Sequence, residues 1–171
     1  YNDEEKTKST KFTYKGIEYY KTGNIGTLDK EGYFKLTGRS SRYYIRADLN
    51  KVYLEHIQNV ISLIDVVESC SVVPKKDKDL LYTNVAYVVL KKGILPTKEV
   101  SNYILDMCYK PIENLITKEK IQLKPFEVPS SIEFLEELPR TKADKVDYNL
   151  LEKLANNEQI NNTIIINNLI H

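Results

Sequence analysis

The chain has 171 residues, 42% of them hydrophobic and 29% charged, and its formal net charge is +1. This length suits one domain with a real hydrophobic core, or one domain plus fragments, and the composition is ordinary for a globular protein. The nearly neutral balance gives no electrostatic reason to expect nucleic acid or an acidic membrane as a partner.

The cysteines and the N-terminus bear on where the protein works. Cys70 and Cys108 lie in apolar runs, so we expect buried free thiols in a reducing compartment, and neither a disulfide framework nor a metal site. No apolar stretch reaches membrane-spanning length. The first residues, Tyr1-Asn2-Asp3-Glu4-Glu5, do not resemble a signal or transit peptide, so we expect a cytoplasmic protein of which this chain is one part.

The first predicted element is a β-hairpin in residues 22–39. Residues 1–21 are polar and tyrosine-rich with weak periodicity, and no element is predicted for them. Asp29-Lys30-Glu31-Gly32 is typical of a turn, and strand formers flank it in Ile25–Leu28 and Tyr33–Leu36. This pattern predicts a hairpin with a four-residue loop, and a purely structural hairpin would explain its glycines equally well.

The next elements form the first half of a small sheet. Apolar residues at helical spacing predict an amphipathic helix over residues 53–64. Val66–Val73 is predicted to form a strand. Lys75–Asp79 is predicted to be a solvated charged loop, which could also attract the phosphate groups of a binding partner. Val85–Leu90 is continuously apolar and predicts a strand that is buried on both faces.

The second half of the chain predicts two more helices and a third strand. Thr97 is the expected N-cap of a helix that ends before Pro111, and residues 112–124 form a mixed, possibly helical segment. A strand over residues 132–135 and a closing helix from Tyr148 to Leu154 follow. The order predicts an α+β fold, with an N-terminal β-hairpin and then a small three-stranded sheet packed with helices.

The loop before the closing helix carries a motif. Pro139-Arg140-Thr141-Lys142-Ala143-Asp144-Lys145-Val146 resembles the pattern Pro-[Arg/Leu]-Thr-x-x-Gly-Lys-[Val/Ile] of the adenylate-forming enzymes, which include acyl-CoA synthetases, peptide-synthetase adenylation domains and other AMP-binding ligases. The resemblance implies that Lys145 is the catalytic lysine. Asp144 stands where the family has glycine. Taken alone, the stretch could also be a solvated basic turn, because short motifs have false positives.

The hairpin is similar to the same family at three further motifs in the family order. These are Thr22-Gly23-Asn24-Ile25-Gly26, Asp29-Lys30-Glu31-Gly32-Tyr33 and Gly38-Arg39. The resemblance implies that Asn24 and Arg39 bind the ribose hydroxyls of ATP. The family has aspartate at the position of Asn24. An amide offers one acceptor oxygen where a carboxylate offers two, so this change weakens the expected grip on the ribose.

Two further positions follow from the resemblance. Ser41 matches the hinge about which the small domain of the family rotates. Residues 43–52 correspond to the family loop Ile-x-x-Gly-Gly, which approaches the acceptor thiol, and Ala47 and Asp48 replace its small residues. Aspartate adds a side chain and a charge where glycine permits close approach, so the resemblance is weakest at the acceptor-thiol loop.

The resemblance also implies a domain organisation and a reaction. Residues 1–38 would end a large N-terminal AMP-binding domain, residues 39–155 would form the C-terminal lid domain, and residues 156–171 a low-complexity tail. With ATP and Mg²⁺ held largely by the absent N-terminal domain, a carboxylic or amino acid would be converted to an acyl-adenylate and pyrophosphate. CoA or the phosphopantetheine of a carrier protein would then accept the acyl group. The chain alone is not expected to be active.

A second function stays open at this point. A non-catalytic homologue could keep the fold as a binding or interaction domain with a degenerate site, and Asn24, Asp48 and Asp144 favour that interpretation. Arg39 and Lys145 favour a working ligase. The acyl substrate is not indicated, because residues 145–147 resemble peptide-synthetase ligases and residues 139–141 resemble acyl-CoA ligases.

Overall fold

The computed structural model describes residues 4–39, 42–114, 118 and 120–157. The chain divides into two units, Tyr1–Arg42 and Tyr43–His171, and each is described by itself. Helix α1 (Glu4–Thr10) and strands β1 (Lys11–Tyr14), β2 (Ile17–Tyr20), β3 (Asn24–Leu28) and β4 (Phe34–Arg39) make up the first unit. The hinge residue expected at Ser41 lies outside the described residues.

The predicted hairpin is confirmed as the antiparallel pair β3–β4, in which Leu28 lies opposite Phe34. Its loop has five residues, 29–33, where four were predicted, because Tyr33 belongs to the turn and not to the strand. The turn closes through hydrogen bonds from the N–H of Asp29 to the Tyr33 carbonyl (3.0 Å) and from the N–H of Gly32 to the Asp29 carbonyl (3.2 Å). The Asp29 carboxylate also accepts from the N–H groups of Glu31 and Tyr33, at 2.9 and 2.8 Å. Gly32 has a φ of 90°, a left-handed conformation that favours glycine.

A second hairpin, β1–β2, precedes it and was not predicted. Its two turn residues, Lys15 and Gly16, both have positive φ angles, 49° and 78°. Two consecutive left-handed residues make the turn that matches the twist of a two-residue hairpin loop. All residues of both strands are exposed, so no alternation of apolar and polar residues marked them in the sequence.

The second unit contains the three-stranded sheet. Its elements are β5 (Tyr43–Ile45), β6 (Lys51–Tyr53), α2 (Leu54–Ile61), β7 (Val67–Asp77), β8 (Leu81–Leu90), α3 (Lys98–Cys108), β9 (Ile112–Glu113), β10 (Lys120–Ile121), β11 (Ser131–Phe134) and α4 (Tyr148–Ala155). The sheet has the strand order β11-β8-β7. Strand β7 runs antiparallel to β8, and β11 runs parallel to it. The α+β class with a small three-stranded sheet is therefore confirmed.

Two segments differ from expectation. Strand β7 continues to Asp77, and Lys75 pairs with Thr83 of β8. Most of the expected charged loop, Lys75–Asp79, therefore belongs to this strand, and only its last residues lie in the turn between β7 and β8. The segment 112–124 is not helical where it is described, because β9 and β10 pair antiparallel with Ile112 opposite Ile121. Tertiary pairing decides such short elements, and two-residue strands leave no periodic signal in the sequence.

The helices follow their apolar periodicity. In α2, Leu54, Ile57, Val60 and Ile61 are all buried. Helix α3 begins at the predicted cap, since the Thr97 hydroxyl accepts a hydrogen bond from the N–H of Val100 at 3.3 Å. None of the helices in the described ranges has the length and apolar character needed to cross a bilayer.

The core lies on both faces of the sheet. Neighbouring residues of a strand point to opposite faces, so Val72 and Val73 belong to different layers. The larger layer includes residues of α2 and α3 together with Val72, Ala86, Val88, Ile132 and Phe134. The smaller layer consists of Val73, Val85, Tyr87, Leu135, Leu151 and Ala155. Strand β8 contributes to both layers, as its continuous apolar sequence predicted.

Both cysteines are free and buried, as expected. The sulfur of Cys70 lies 3.3 Å from the Ser62 hydroxyl oxygen, and its S–H donates to the Gln58 carbonyl at 3.4 Å. Burial raises the pKa of Cys70 to about 11 and that of Cys108 to about 12. The thiolate is the reactive form, so both side chains are chemically quiet near neutral pH.

Candidate functional site

The loop that carries Lys145 is closed at its base, between the end of the sheet and helix α4. The N–H of Asp147 donates to the Pro139 carbonyl at 2.8 Å, and Arg140 and Val146 form an antiparallel bridge. The Asp147 carboxylate also accepts from the N–H of Leu150 at 3.1 Å and so caps α4. One residue therefore closes the loop and begins the helix.

The tip of the loop is a tight turn. The N–H of Thr141 donates to the Lys145 carbonyl at 2.7 Å, and the N–H of Asp144 donates to the Thr141 carbonyl at 2.9 Å. The side chain of Lys145 is exposed. Within the described part of the chain, the salt bridges found do not include this ammonium group. The loop thus presents a cation to solvent from a backbone that is hydrogen-bonded on itself.

Asp144, which replaces the family glycine, has a φ of 57°. The position therefore needs the left-handed conformation that glycine adopts most easily, and aspartate is among the few other residues that tolerate it. The guanidinium of Arg140 donates through Nη1 to the Asp144 carbonyl at 3.0 Å and to its carboxylate at 3.3 Å. Asp144 thus adopts a backbone conformation that favours glycine, and its side chain forms an ion pair with Arg140.

The expected acceptor-thiol loop is also a closed turn, but its strained residue was not predicted. The N–H of Arg46 donates to the Asn50 carbonyl at 3.0 Å, and the N–H of Leu49 to the Arg46 carbonyl at 2.9 Å. Leu49 has a φ of 64° and is 83% exposed. The left-handed conformation thus occurs at Leu49, after Ala47 and Asp48. Leucine rarely adopts this conformation, so the sequence did not indicate it.

Asp48 is held within this turn. Its carboxylate accepts from Arg46 Nε at 3.2 Å and from the N–H of Asn50 at 3.1 Å. Partial desolvation opposes its ionisation, but hydrogen bonds from Asn50 and the charge of Arg46 outweigh this and lower the pKa of Asp48. The N–H of Ala47 donates to the Leu80 carbonyl at 3.0 Å, which ties the turn to the β7–β8 connection.

One buried polar residue, Asn84, was not singled out from the sequence. Asn84 is fully buried, and its amide nitrogen donates to the Tyr44 hydroxyl at 3.0 Å and to the Glu127 carbonyl at 3.3 Å. Burial raises the pKa of Tyr44. Buried amides require such partners, so Asn84 links β5, β8 and the segment before β11. A single asparagine in an apolar strand is the signal that could have found it.

The two residues expected at the ribose are neighbours in the first unit. Asn24 and Arg39 lie directly opposite each other in the β3–β4 pair. Asn24 is exposed, and its backbone N–H donates to the Thr22 hydroxyl at 3.2 Å. The hairpin register therefore brings together two positions that are far apart in the sequence. The described residues contain no group of three or more His, Cys, Asp or Glu side chains that could hold a metal ion.

Comparison with known proteins gives a consistent result. Residues 56–145 match the family of AMP-binding enzyme C-terminal domains. The chain is 33% identical over 128 residues to 4-hydroxybutyrate–CoA ligase 1 of Metallosphaera sedula, covering 75% of this chain and 21% of that protein. It is 30% identical over 147 residues to the D-alanine–D-alanyl carrier protein ligase of Streptococcus agalactiae, covering 85% of this chain and 27% of the relative.

A solved structure agrees with these relatives. The crystal structure of ATP-bound MatB from Rhodopseudomonas palustris superposes with a TM-score of 0.66 at 25% identity, covering 90% of this chain and 27% of that one. The chain spans about a quarter of the length of the curated relatives that it matches.

Proposed function

The chain belongs to the family of AMP-binding enzyme C-terminal domains, and from this we propose that it is the C-terminal part of an ATP-dependent ligase. The ligase would convert a carboxylic or amino acid and ATP to an acyl-adenylate and pyrophosphate. It would then transfer the acyl group to the thiol of CoA or of a carrier protein. Similarity to a CoA ligase and to a carrier-protein ligase supports both acceptors equally.

The observation that carries the proposal is the closed loop of Lys145. Transfer at the α-phosphate needs positioning and charge stabilisation more than covalent help from the protein. A preorganised cation is most effective where negative charge gathers in the transition state. The turn between Thr141 and Lys145 holds the backbone, and the exposed ammonium is available to a substrate. We assign Lys145 to the carboxylate and the α-phosphate oxygens during adenylation.

Asn24 and Arg39 are proposed to bind the ribose of ATP. Their opposed positions in the hairpin support a joint role, because one ribose can reach residues on two adjacent strands. We assign Mg²⁺ and the triphosphate to the large N-terminal domain that residues 1–38 would complete. Residues 39–155 would form the lid, and the division at Arg42 and Tyr43 supports a boundary in this region.

The test is ATP–pyrophosphate exchange catalysed by the intact protein with a panel of short-chain, aromatic and amino acids. Exchange that depends on one of these carboxylates is the expected result. The thiol acceptor is then identified by adding CoA or a phosphopantetheinylated carrier protein. A folded intact protein that shows no exchange with any carboxylate would contradict the proposal and favour a non-catalytic homologue.

Asn24→Asp is expected to improve nucleotide binding in the intact protein. The carboxylate restores two acceptors for the ribose hydroxyls, and a charge-assisted hydrogen bond is stronger than a neutral one by about 1 kcal/mol. The KM for ATP in the exchange assay should fall about fivefold. Asn102→Asp, which adds the same charge on an exposed position of α3, is the control. An unchanged or higher KM in the Asn24 variant would show that this side chain does not contact the ribose.

A further inference from the structure

The backbone on both sides of Lys145 is held by neighbouring side chains and by the turn itself. The peptide group that joins Asp144 to Lys145 is bound at both ends. Its carbonyl accepts from Arg140 Nη1 at 3.0 Å, and its N–H donates to the Thr141 hydroxyl at 3.4 Å. The next peptide group is bound as well, since the Lys145 carbonyl accepts from the N–H of Thr141 at 2.7 Å. The Cα of Lys145 therefore lies between two fixed peptide planes.

Arg140 makes its second contact with the side chain that this chain has in place of the family glycine. Nη1 of Arg140 lies 3.3 Å from Oδ1 of Asp144, and the side chains are 59% and 86% exposed. An ion pair this exposed adds little to stability by itself. Its effect is geometric, because one donor atom binds both the carbonyl and the carboxylate of one residue. This arrangement fixes the guanidinium against the peptide plane that leads into Lys145.

We propose that Asp144 and Arg140 form a clasp that positions Lys145 for adenylation. The inference rests on the proposed function and adds to it a role for Asp144, whose carboxylate holds the Arg140 guanidinium against the Asp144 carbonyl. Glycine at this position would keep the left-handed backbone but would remove the carboxylate and widen the range of conformations of the loop. The clasp residues act through Lys145, so they are positioning residues.

The clasp predicts a specific kinetic pattern. Misplacement of a catalytic group lowers the rate of the step in which it acts. In the intact protein, Asp144→Gly should lower kcat of pyrophosphate exchange about 3- to 10-fold with the KM for ATP unchanged. It should leave thioester formation from synthetic acyl-adenylate unaffected. Asp144→Asn, which keeps a side-chain acceptor and tolerates the left-handed conformation, should recover most of the rate.

Two further measurements separate positioning from general damage. Arg140→Gln should lower the rate of ATP–pyrophosphate exchange by a similar factor. The double variant Arg140→Gln/Asp144→Gly should be no slower than the worse single variant, because both changes remove one interaction. Amide hydrogen exchange of the segment 139–147 should speed up in Asp144→Gly and stay close to the parent in Asp144→Asn, while the rest of the second unit is unchanged.

The outcomes are distinguishable. An active parent whose Asp144→Gly variant is equally active, or faster, overturns the clasp and shows that aspartate only replaces glycine there. The clasp is also overturned if the rate losses of the two single variants multiply in the double variant. The same holds if amide exchange of residues 139–147 is unchanged in Asp144→Gly. A parent without exchange activity overturns the proposed function, and with it this role for Asp144.

Discussion

Lys145→Ala in the intact protein is expected to lower the rate of adenylate formation by about 10² to 10³ and to leave thioester formation nearly unchanged. Loss of one preorganised donor at a developing charge typically has this effect. In the proposed role, the ammonium acts while charge builds on the carboxylate and the α-phosphate, and we assign it no role at the acceptor thiol. Pyrophosphate exchange measures the first half-reaction. Consumption of synthetic acyl-adenylate in the presence of thiol measures the second.

The matched control is Lys142→Ala. Lys142 lies on the same exposed loop and has the same charge, but it does not occupy the position of the family lysine. The Lys142→Ala variant should retain most of the rate of pyrophosphate exchange. Equal losses in both half-reactions for Lys145→Ala would indicate a folding defect, and intact exchange in that variant would show that Lys145 is not the catalytic lysine.

Leu151→Ala is expected to destabilise the second unit by about 2–5 kcal/mol. Leu151 is fully buried, and it packs in the smaller core layer with residues of β7 and β8. Truncation removes apolar contacts and leaves a cavity beneath α4, the helix that Asp147 caps at the end of the lysine loop. Denaturant unfolding of the chain, followed by circular dichroism, measures the loss.

Leu95→Ala is the control with the same chemical change. Leu95 is 73% exposed, so its truncation should alter the free energy of unfolding by less than about 0.5 kcal/mol. Similar losses in the two variants would mean that α4 does not pack on the sheet through Leu151.

Periodicity and caps predicted the main elements of the fold. Helices α2 and α4 appear where apolar residues recur at helical spacing, and Thr97 caps α3 as predicted. Residues 85–90 of strand β8 were predicted because a continuous apolar run is typical of a strand that is buried on both faces. These signals are local, so a single sequence contains them. The β1–β2 hairpin lacks such a signal because all its strand residues are exposed. Strands β9 and β10 lack one because two residues each are too few to show a period.

The candidate site residues come from motifs, and their roles stay predictions. The loop motif implied the role of Lys145, and the hairpin motifs implied that Asn24 and Arg39 bind the ribose. The structure adds that these two positions lie opposite each other in the register of β3 and β4. The bonds of Asn84 could not be predicted, since its partners Tyr44 and Glu127 are 40 and 43 residues away in the sequence. The left-handed conformation of Leu49 opposes its own preference and is imposed by the surrounding turn.

The two buried thiols make the chain a convenient background for site-specific labelling. With pKa values of about 11 and 12, Cys70 and Cys108 hold well under about one percent of thiolate at neutral pH. A cysteine introduced at the exposed position of Lys142 would therefore be the preferred target of a maleimide reagent, with no need to remove either native cysteine from the core. A fluorescent or spin label attached there would report the motion of the loop beside Lys145 without altering the lysine.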